Sequence, residues 1–144
     1  MPIPIPEPGL VIGYSYLWHH EHTAGSEEGR KDRPCAIIVA TLDADGDTVV
    51  YVAPITHTAP ALPDDGLEIP TRLKRHLNLD DKRSWVITSE LNRFIWPGYD
   101  LRPIARDQPD SFAYGFLSTD FFAAIKVSII RHRNKRSLDL IPRS

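Results

Sequence analysis

An apolar hairpin in the first half of the chain constrains the fold more than any other feature. The segment RPCAIIVATLD (residues 33–43) has hardly a polar side chain after its first residue, which predicts a strand buried on both faces. DADGD (residues 43–47) follows it, and Gly46 suits the positive φ of a tight hairpin turn. TVVYVAPIT, Thr48–Thr56, predicts the returning strand. We therefore expect two antiparallel strands in the middle of a sheet.

The first of these strands begins with an arginine and a proline. Pro34 is tolerable there because the first position of a strand can lack an N–H donor. Arg33 places a cation at the edge of an apolar core. An arginine in that position is often part of an ordinary surface ion pair, which contributes little. A functional role for Arg33 therefore needs a second observation.

The rest of the chain predicts short strands with helices packed against them. Further strands are predicted at residues 9–18, 67–70, 83–91 and 101–105. A short helix is predicted to be capped by Thr71, with Leu73 and Leu77 on its apolar face. A closing helix is predicted to be capped by Ser118 or Thr119, with Phe122, Ile125 and Ile129 on one stripe. Residues 19–32 are polar and predict a long, exposed, mobile loop. These elements indicate one α+β domain over residues 1–144, built on a strongly bent small β-sheet or barrel and preceded by a proline-rich arm, residues 1–8.

Composition argues against several classes of protein. No apolar run reaches the roughly 20 residues of a membrane helix, and the first residues lack the pattern of a signal peptide. Cys35 is the only cysteine, which predicts a core thiol and a reducing cytoplasm. The formal net charge of −2 gives no general attraction for nucleic acid but leaves room for a local basic groove.

Several motifs follow one another in a recognisable order. GLVIGY leads into a loop that contains Gly25 and Glu27, and the loop ends in Arg33-Pro34 before the apolar strand. The next strand ends in PIT, the last residue of which is Thr56. SWVITSELN and YGFLSTDFFAAI then resemble a further strand and the lead into a last helix. This order resembles the MazF/PemK family of toxin endoribonucleases from toxin–antitoxin modules.

The resemblance implies an SH3-like barrel with a C-terminal helix that forms a cytoplasmic homodimer. It also implies the toxin of a type II toxin–antitoxin system: an mRNA interferase that cleaves single-stranded RNA without metal or other cofactor, inhibits growth, and is silenced by an antitoxin protein. Two alternatives stay open. One is a non-catalytic SH3-like module that binds protein or nucleic acid, and the other is a toxin that acts on a topoisomerase.

Metal-free RNA cleavage needs a group at the phosphate and groups that move protons. The planar fork of Arg33 can bind two phosphate oxygens together, and the resemblance assigns it to the phosphorane. Thr56 can donate to a phosphate oxygen, or it can bond its own backbone. Glu27 is a candidate base, or else positions the loop or is simply solvated. His57 is a candidate for proton transfer because histidine titrates near neutral pH.

Candidate RNA contacts come from cations and one aromatic residue: Arg30, Lys31, Arg93 and Trp96. Trp96 precedes a Pro-Gly turn, so we expect it to be the most exposed of the three tryptophans and able to stack on a base. HHEH (residues 19–22) suggests metal ligands, but its spacing does not match a helical zinc pair. We therefore expect no metal site.

Overall fold

The computed structural model of the chain describes residues 3–25 and 31–143. Within these ranges, nine strands form one mostly antiparallel sheet, and three α-helices accompany it. The strands are β1 (Leu10–Tyr14), β2 (Arg33–Leu42), β3 (Thr48–Thr56), β4 (Gly66–Glu68), β5 (Trp85–Ile87), β6 (Glu90–Ile95), β7 (Leu101–Arg102), β8 (Ala113–Phe116) and β9 (Asp139–Pro142), and the helices are α1 (His19–Thr23), α2 (Thr71–His76) and α3 (Thr119–Asn134). The predicted class, mainly β with helices, is confirmed.

The hairpin of β2 and β3 forms as predicted. The two strands pair antiparallel from Cys35↔Pro54 to Leu42↔Thr48, and β2 lies between β1 and β3. In the turn, the Asp43 carboxylate accepts the N–H groups of two later turn residues, each at 2.9 Å. Burial on both faces is wrong for the half of β2 nearest the turn, where Leu42 is 71% exposed. The apolar pattern of β2 does not show where the elements that pack against this strand end.

Two strands of the sheet each divide their outer edge between two partners. The beginning of β3 pairs with β6, and its end pairs with β5. In the same way β1 pairs with β8 and then with β7. An irregularity in β2 between Ile37 and Val39 adds a local bend, as bulges do. Among the described strands, the outer ones do not pair with each other, so the sheet stays open and the expected closed barrel does not form.

The two faces of the sheet carry separate cores, since alternate residues of each strand point to opposite faces. One core, between the sheet and α3, contains Val11, Ala36, Ala53, Ile55, Leu91, Ile125 and Ile129, and the other contains Ile12, Tyr14, Cys35, Ile37, Val50, Val52 and Phe94. The stripe of α3 is confirmed at Ile125 and Ile129, and its cap at Ser118, whose Oγ accepts the N–H of Phe121. Cys35 is the buried core thiol predicted.

Several predicted boundaries are wrong. Residues 83–91 form two strands, because β5 pairs with β4 and the end of β3, whereas β6 pairs with the beginning of β3 and with β9. The strand predicted over residues 9–18 ends at Tyr14. Thr71 is the first residue of α2 and makes no capping bond, because Pro70 occupies the N-cap. The sequence patterns did not predict β8 and β9, which are short and depend on pairing with distant strands.

The segment predicted as an exposed loop contains a helix. HHEHT forms α1, and its Glu21 is buried with a carboxylate oxygen 3.0 Å from the Trp18 N–H. Residues 26–30 lie outside the described residues, and so do the predicted site residues Glu27 and Arg30. None of the helices in the described ranges is both long and apolar enough to cross a membrane.

Candidate functional site

Arg33 and Thr56 lie opposite each other at the open end of the hairpin. The pairing of β2 with β3 ends at Cys35 and Pro54, and Arg33 and Thr56 each stand two residues beyond that pair, toward the open end. Both residues line two neighbouring cavities, which makes them the boundary between these cavities. We call this pair the Arg33–Thr56 ridge. The sequence singled out both residues, and the structure brings them together.

The first cavity, of about 330 Å³, contains a histidine held by an aspartate, and we call it the histidine cavity. Its polar lining includes Lys31, Asp32, His57, Asn78, Asp80, Ser84 and Tyr114. His57 Nε2 lies 2.8 Å from one carboxylate oxygen of Asp80 and 3.0 Å from the other. Asp80 also accepts the N–H of Lys82 at 3.1 Å, which fixes the carboxylate in turn. The imidazole of His57 is therefore oriented beside the ridge.

The second cavity, of about 570 Å³, contains a glutamate and an aromatic wall, and we call it the glutamate cavity. Its lining includes Trp18, His20, Lys31, Thr58, Ser89 and Glu90. Oε1 of Glu90 accepts the backbone N–H of His19 at 2.9 Å and the hydroxyl of Tyr16 at 3.1 Å. Burial raises the pKa of Glu90, and these two hydrogen bonds lower it in part. The carboxylate is thus fixed in place and faces a cavity.

Arg33 is held by an aromatic ring. Its guanidinium carbon lies 5.0 Å from the centre of the Trp18 ring, a cation–π distance. Its Nε is buried and has no hydrogen-bond partner among the described residues. Within residues 3–25 and 31–143 Arg33 makes no ion pair with a carboxylate, and the neighbouring Asp32 pairs instead with Arg102 at 3.6 Å. Among these residues, no carboxylate neutralises the guanidinium group, which argues against the interpretation of Arg33 as part of an ordinary surface ion pair. As far as these residues are concerned, its N–H donors are available to a ligand.

The hydroxyl group of Thr56 makes the local backbone bond that is one of its two interpretations, and this bond is compatible with the other. Its Oγ1 accepts the backbone N–H of Thr58 at 3.2 Å. That bond uses an oxygen lone pair and leaves the hydroxyl proton free to donate. The local backbone bond therefore orients Thr56 as a donor on the ridge.

The remaining predicted residues divide between the cavities and the rest of the sheet. Lys31 lines both cavities. Arg93 is exposed on β6, where its Nε donates to the hydroxyl of Tyr51 at 3.2 Å. Trp96 is half-buried, as are the other two tryptophans, so its place as the most exposed of the three stays a prediction. Neither Arg93 nor Trp96 lines the two cavities beside the ridge, and their contact with RNA stays a prediction.

Three residues of the site carried no signal in the sequence. Asp80 reaches His57 across 23 positions of the chain, and Glu90 reaches His19 across 71. Trp18 forms a wall of the glutamate cavity under Arg33. No local spacing links these residues to the ridge, because the packing of separate strands and turns brings them there.

Comparison with known proteins identifies no relative: no family model matches the chain, and no curated protein matches its sequence. The resemblance to the MazF/PemK family therefore rests on the motifs quoted above. The two most specific of these motifs, Arg33-Pro34 and the strand end at Thr56, are the ones that meet at the ridge.

Proposed function

We propose that this chain is the toxin of a type II toxin–antitoxin module and that it cleaves single-stranded RNA without a metal ion. The observation that carries the proposal is the Arg33–Thr56 ridge. It presents a guanidinium and a hydroxyl side by side, and Arg33 makes no ion pair with a carboxylate of the described residues. A phosphodiester on the ridge would have room for a nucleoside on each side, because a cavity opens on each side.

The proposed reaction is a transesterification within the RNA strand. The 2′-oxygen attacks the neighbouring phosphorus while the bond from phosphorus to the 5′-oxygen breaks. The products are a 2′,3′-cyclic phosphate and a free 5′-hydroxyl. Negative charge develops on the non-bridging oxygens of the phosphorane, where the planar fork of Arg33 can donate two hydrogen bonds and Thr56 a third.

His57 is our candidate for moving a proton in this reaction. The ring lines the histidine cavity together with the ridge, and Asp80 holds it through Nε2 at 2.8 Å. It would take the proton of the 2′-hydroxyl or supply one to the leaving 5′-oxygen. Glu27 remains the alternative base from the sequence, and it lies outside the described residues.

An SH3-like arrangement of the sheet, a homodimer and an antitoxin partner complete the proposal. The divided outer edges of β1 and β3 support the first of these, because strands that change partners along their length are what a bent sheet requires. A dimer would extend the groove for RNA, since a small domain offers a short one. Light scattering across micromolar concentrations tests the dimer, and a monomer throughout that range counts against it.

The decisive experiment incubates the purified protein with a long single-stranded RNA in EDTA and maps the ends. We expect cuts with 5′-hydroxyl and 2′,3′-cyclic phosphate ends, lost in Arg33→Ala and kept in the exposed surface variant Arg72→Ala. RNA binding without cleavage would favour the non-catalytic module. A protein that neither binds nor cleaves RNA would reject the proposal.

A further inference from the structure

We propose that the glutamate cavity is a nucleobase pocket that selects guanine, and that the Glu90 carboxylate recognises the N–H groups of this base. The inference rests on the proposed function, because it places a base of the strand whose phosphate lies on the Arg33–Thr56 ridge. Arg33 and Thr56 line this cavity, so the pocket adjoins the phosphate site directly.

The hydrogen bonds of Glu90 leave one carboxylate oxygen for a ligand. Both hydrogen bonds that the described residues make to this carboxylate go to Oε1, from His19 and from Tyr16. They hold the side chain at the wall of the cavity that Glu90 lines. Oε2 is then the atom available to a ligand, and an ionised carboxylate can only accept hydrogen bonds.

Among the four RNA bases, guanine matches an acceptor-only group best. Its Watson–Crick edge presents two adjacent donors, the ring N1–H and the exocyclic amino group. Adenine and cytosine place a ring nitrogen acceptor beside their amino group, and uracil places a carbonyl on each side of its N–H. In each of these three, a lone pair would face the carboxylate, which disfavours the base.

An aromatic wall suits the flat face of the same base. The rings of Trp18 and His20 are 6.4 Å apart between centroids and 20° from parallel. Arg33 packs against Trp18, and His20 is exposed. Single-stranded RNA is recognised by bases that stack on aromatic rings or on guanidinium planes while an edge is hydrogen-bonded. Lys31 adds a cation at the same cavity for the backbone.

The test measures binding without cleavage, so that the two proposals fail separately. The probes are ten-nucleotide oligothymidylates with one central guanine, hypoxanthine or adenine; they lack 2′-hydroxyl groups and cannot undergo the proposed reaction. We expect wild-type protein to bind the guanine probe about tenfold tighter than the adenine probe, because two N–H groups of one base edge that share Oε2 discriminate on the scale of other paired contacts to a base. Hypoxanthine, which lacks only the exocyclic amino group, should fall between them.

Two variants and one control assign the effect to this pocket. Glu90→Gln keeps an Oε1 acceptor for His19 and Tyr16 but replaces Oε2 by an amino group that donates. The guanine preference should therefore disappear. His20→Ala, on an exposed side chain, should weaken all three probes and keep the preference. Glu7→Gln, an exposed carboxylate of the N-terminal arm, is the matched control and should change nothing.

A lack of binding, equal binding of the three probes, or a guanine preference that persists in Glu90→Gln would overturn the pocket. So would cleavage of a guanine-free RNA at the rate of a matched guanine-containing one. Guanine-selective binding without cleavage of any RNA would instead support the pocket and reject the nuclease.

Discussion

Two arginines in this molecule lie beside aromatic rings, but their polar surroundings are opposite. Arg143 lies 5.7 Å from the centre of the Tyr14 ring, and Arg33 lies 5.0 Å from that of Trp18. The Arg143 side chain is 2% exposed and bonds to Asp100 at 3.0 Å and to the Ser15 carbonyl at 2.8 Å. The guanidinium group of Arg143 is therefore bound by polar neighbours within the protein.

Arg33 has the ring but, within residues 3–25 and 31–143, not the polar partners. In these ranges its buried Nε has no hydrogen-bond partner and no carboxylate pairs with the guanidinium group. A stack holds the guanidinium in place while its donors stay available, and removal of an unused donor costs the fold little. The environment of Arg143 serves the fold, whereas that of Arg33 fits the phosphate-binding role that we propose for it.

The largest effect we expect is on stability, in Arg143→Ala. The change leaves Asp100 buried without its cation, and breaking a buried pair in this way costs about 3–5 kcal/mol. Urea unfolding followed by circular dichroism measures the loss. Arg72→Ala, an exposed change, should stay within about 0.5 kcal/mol. An Arg143→Ala protein as stable as wild type would remove the contrast between the two arginines.

Arg33→Ala should show the opposite pattern, with a large loss of activity and a small loss of stability. Loss of one preorganised donor for a developing negative charge costs about 10²–10³ in rate. Cleavage rates on one RNA, together with the urea midpoint, measure both effects. Arg33→Lys should recover only part of the rate, because a point charge cannot hold two phosphate oxygens as a fork does. A folded Arg33→Ala protein that cuts at the wild-type rate would refute the assignment.

A smaller loss of activity is expected for Asp80→Asn. Asp80 orients His57 at 2.8 Å, so an amide in its place should reduce the cleavage rate about tenfold, which is less than the roughly 10²–10⁴ that an acid–base group contributes directly. The double variant with His57→Ala should cut no more slowly than His57→Ala alone, since two residues that act as a unit are not additive. Additive losses would show that Asp80 acts independently of His57.

The smallest effect concerns Glu90, whose pKa burial raises. A raised pKa means that the fold favours the protonated form, so ionised Glu90 reduces stability at neutral pH. Glu90→Gln should therefore be slightly more stable than wild type at pH 7, by less than about 1 kcal/mol. The difference should shrink as the pH falls through the pKa of folded Glu90, because the wild-type residue then also becomes neutral. Urea unfolding of both proteins at several pH values measures this difference in the free energy of unfolding. A difference that grows as the pH falls would contradict the prediction.

The sequence by itself determined the hairpin and the two residues of the ridge. Alternation and a turn with Asp43 and Gly46 set the register beside the turn, where Leu42 pairs with Thr48. These are local properties, since a period of two and a tight turn act within a few residues. The irregularity between Ile37 and Val39 carried no such signal, and it shifts the register by one residue so that Cys35 pairs with Pro54. The motifs at Arg33-Pro34 and Thr56 are local too, so the order of residues along the chain is enough to recognise them.

Only the tertiary structure decided what surrounds the ridge. Asp80 reaches His57 from beyond α2, and Glu90 follows a break between β5 and β6 that the apolar pattern did not mark. The same holds for the contrast between Arg33 and Arg143, because the partners of Arg143 come from β6 and from two loops. Contacts between distant segments depend on which strands pair along each edge of the sheet. This pairing is decided by packing over the whole domain, so no local periodicity in the sequence predicts it.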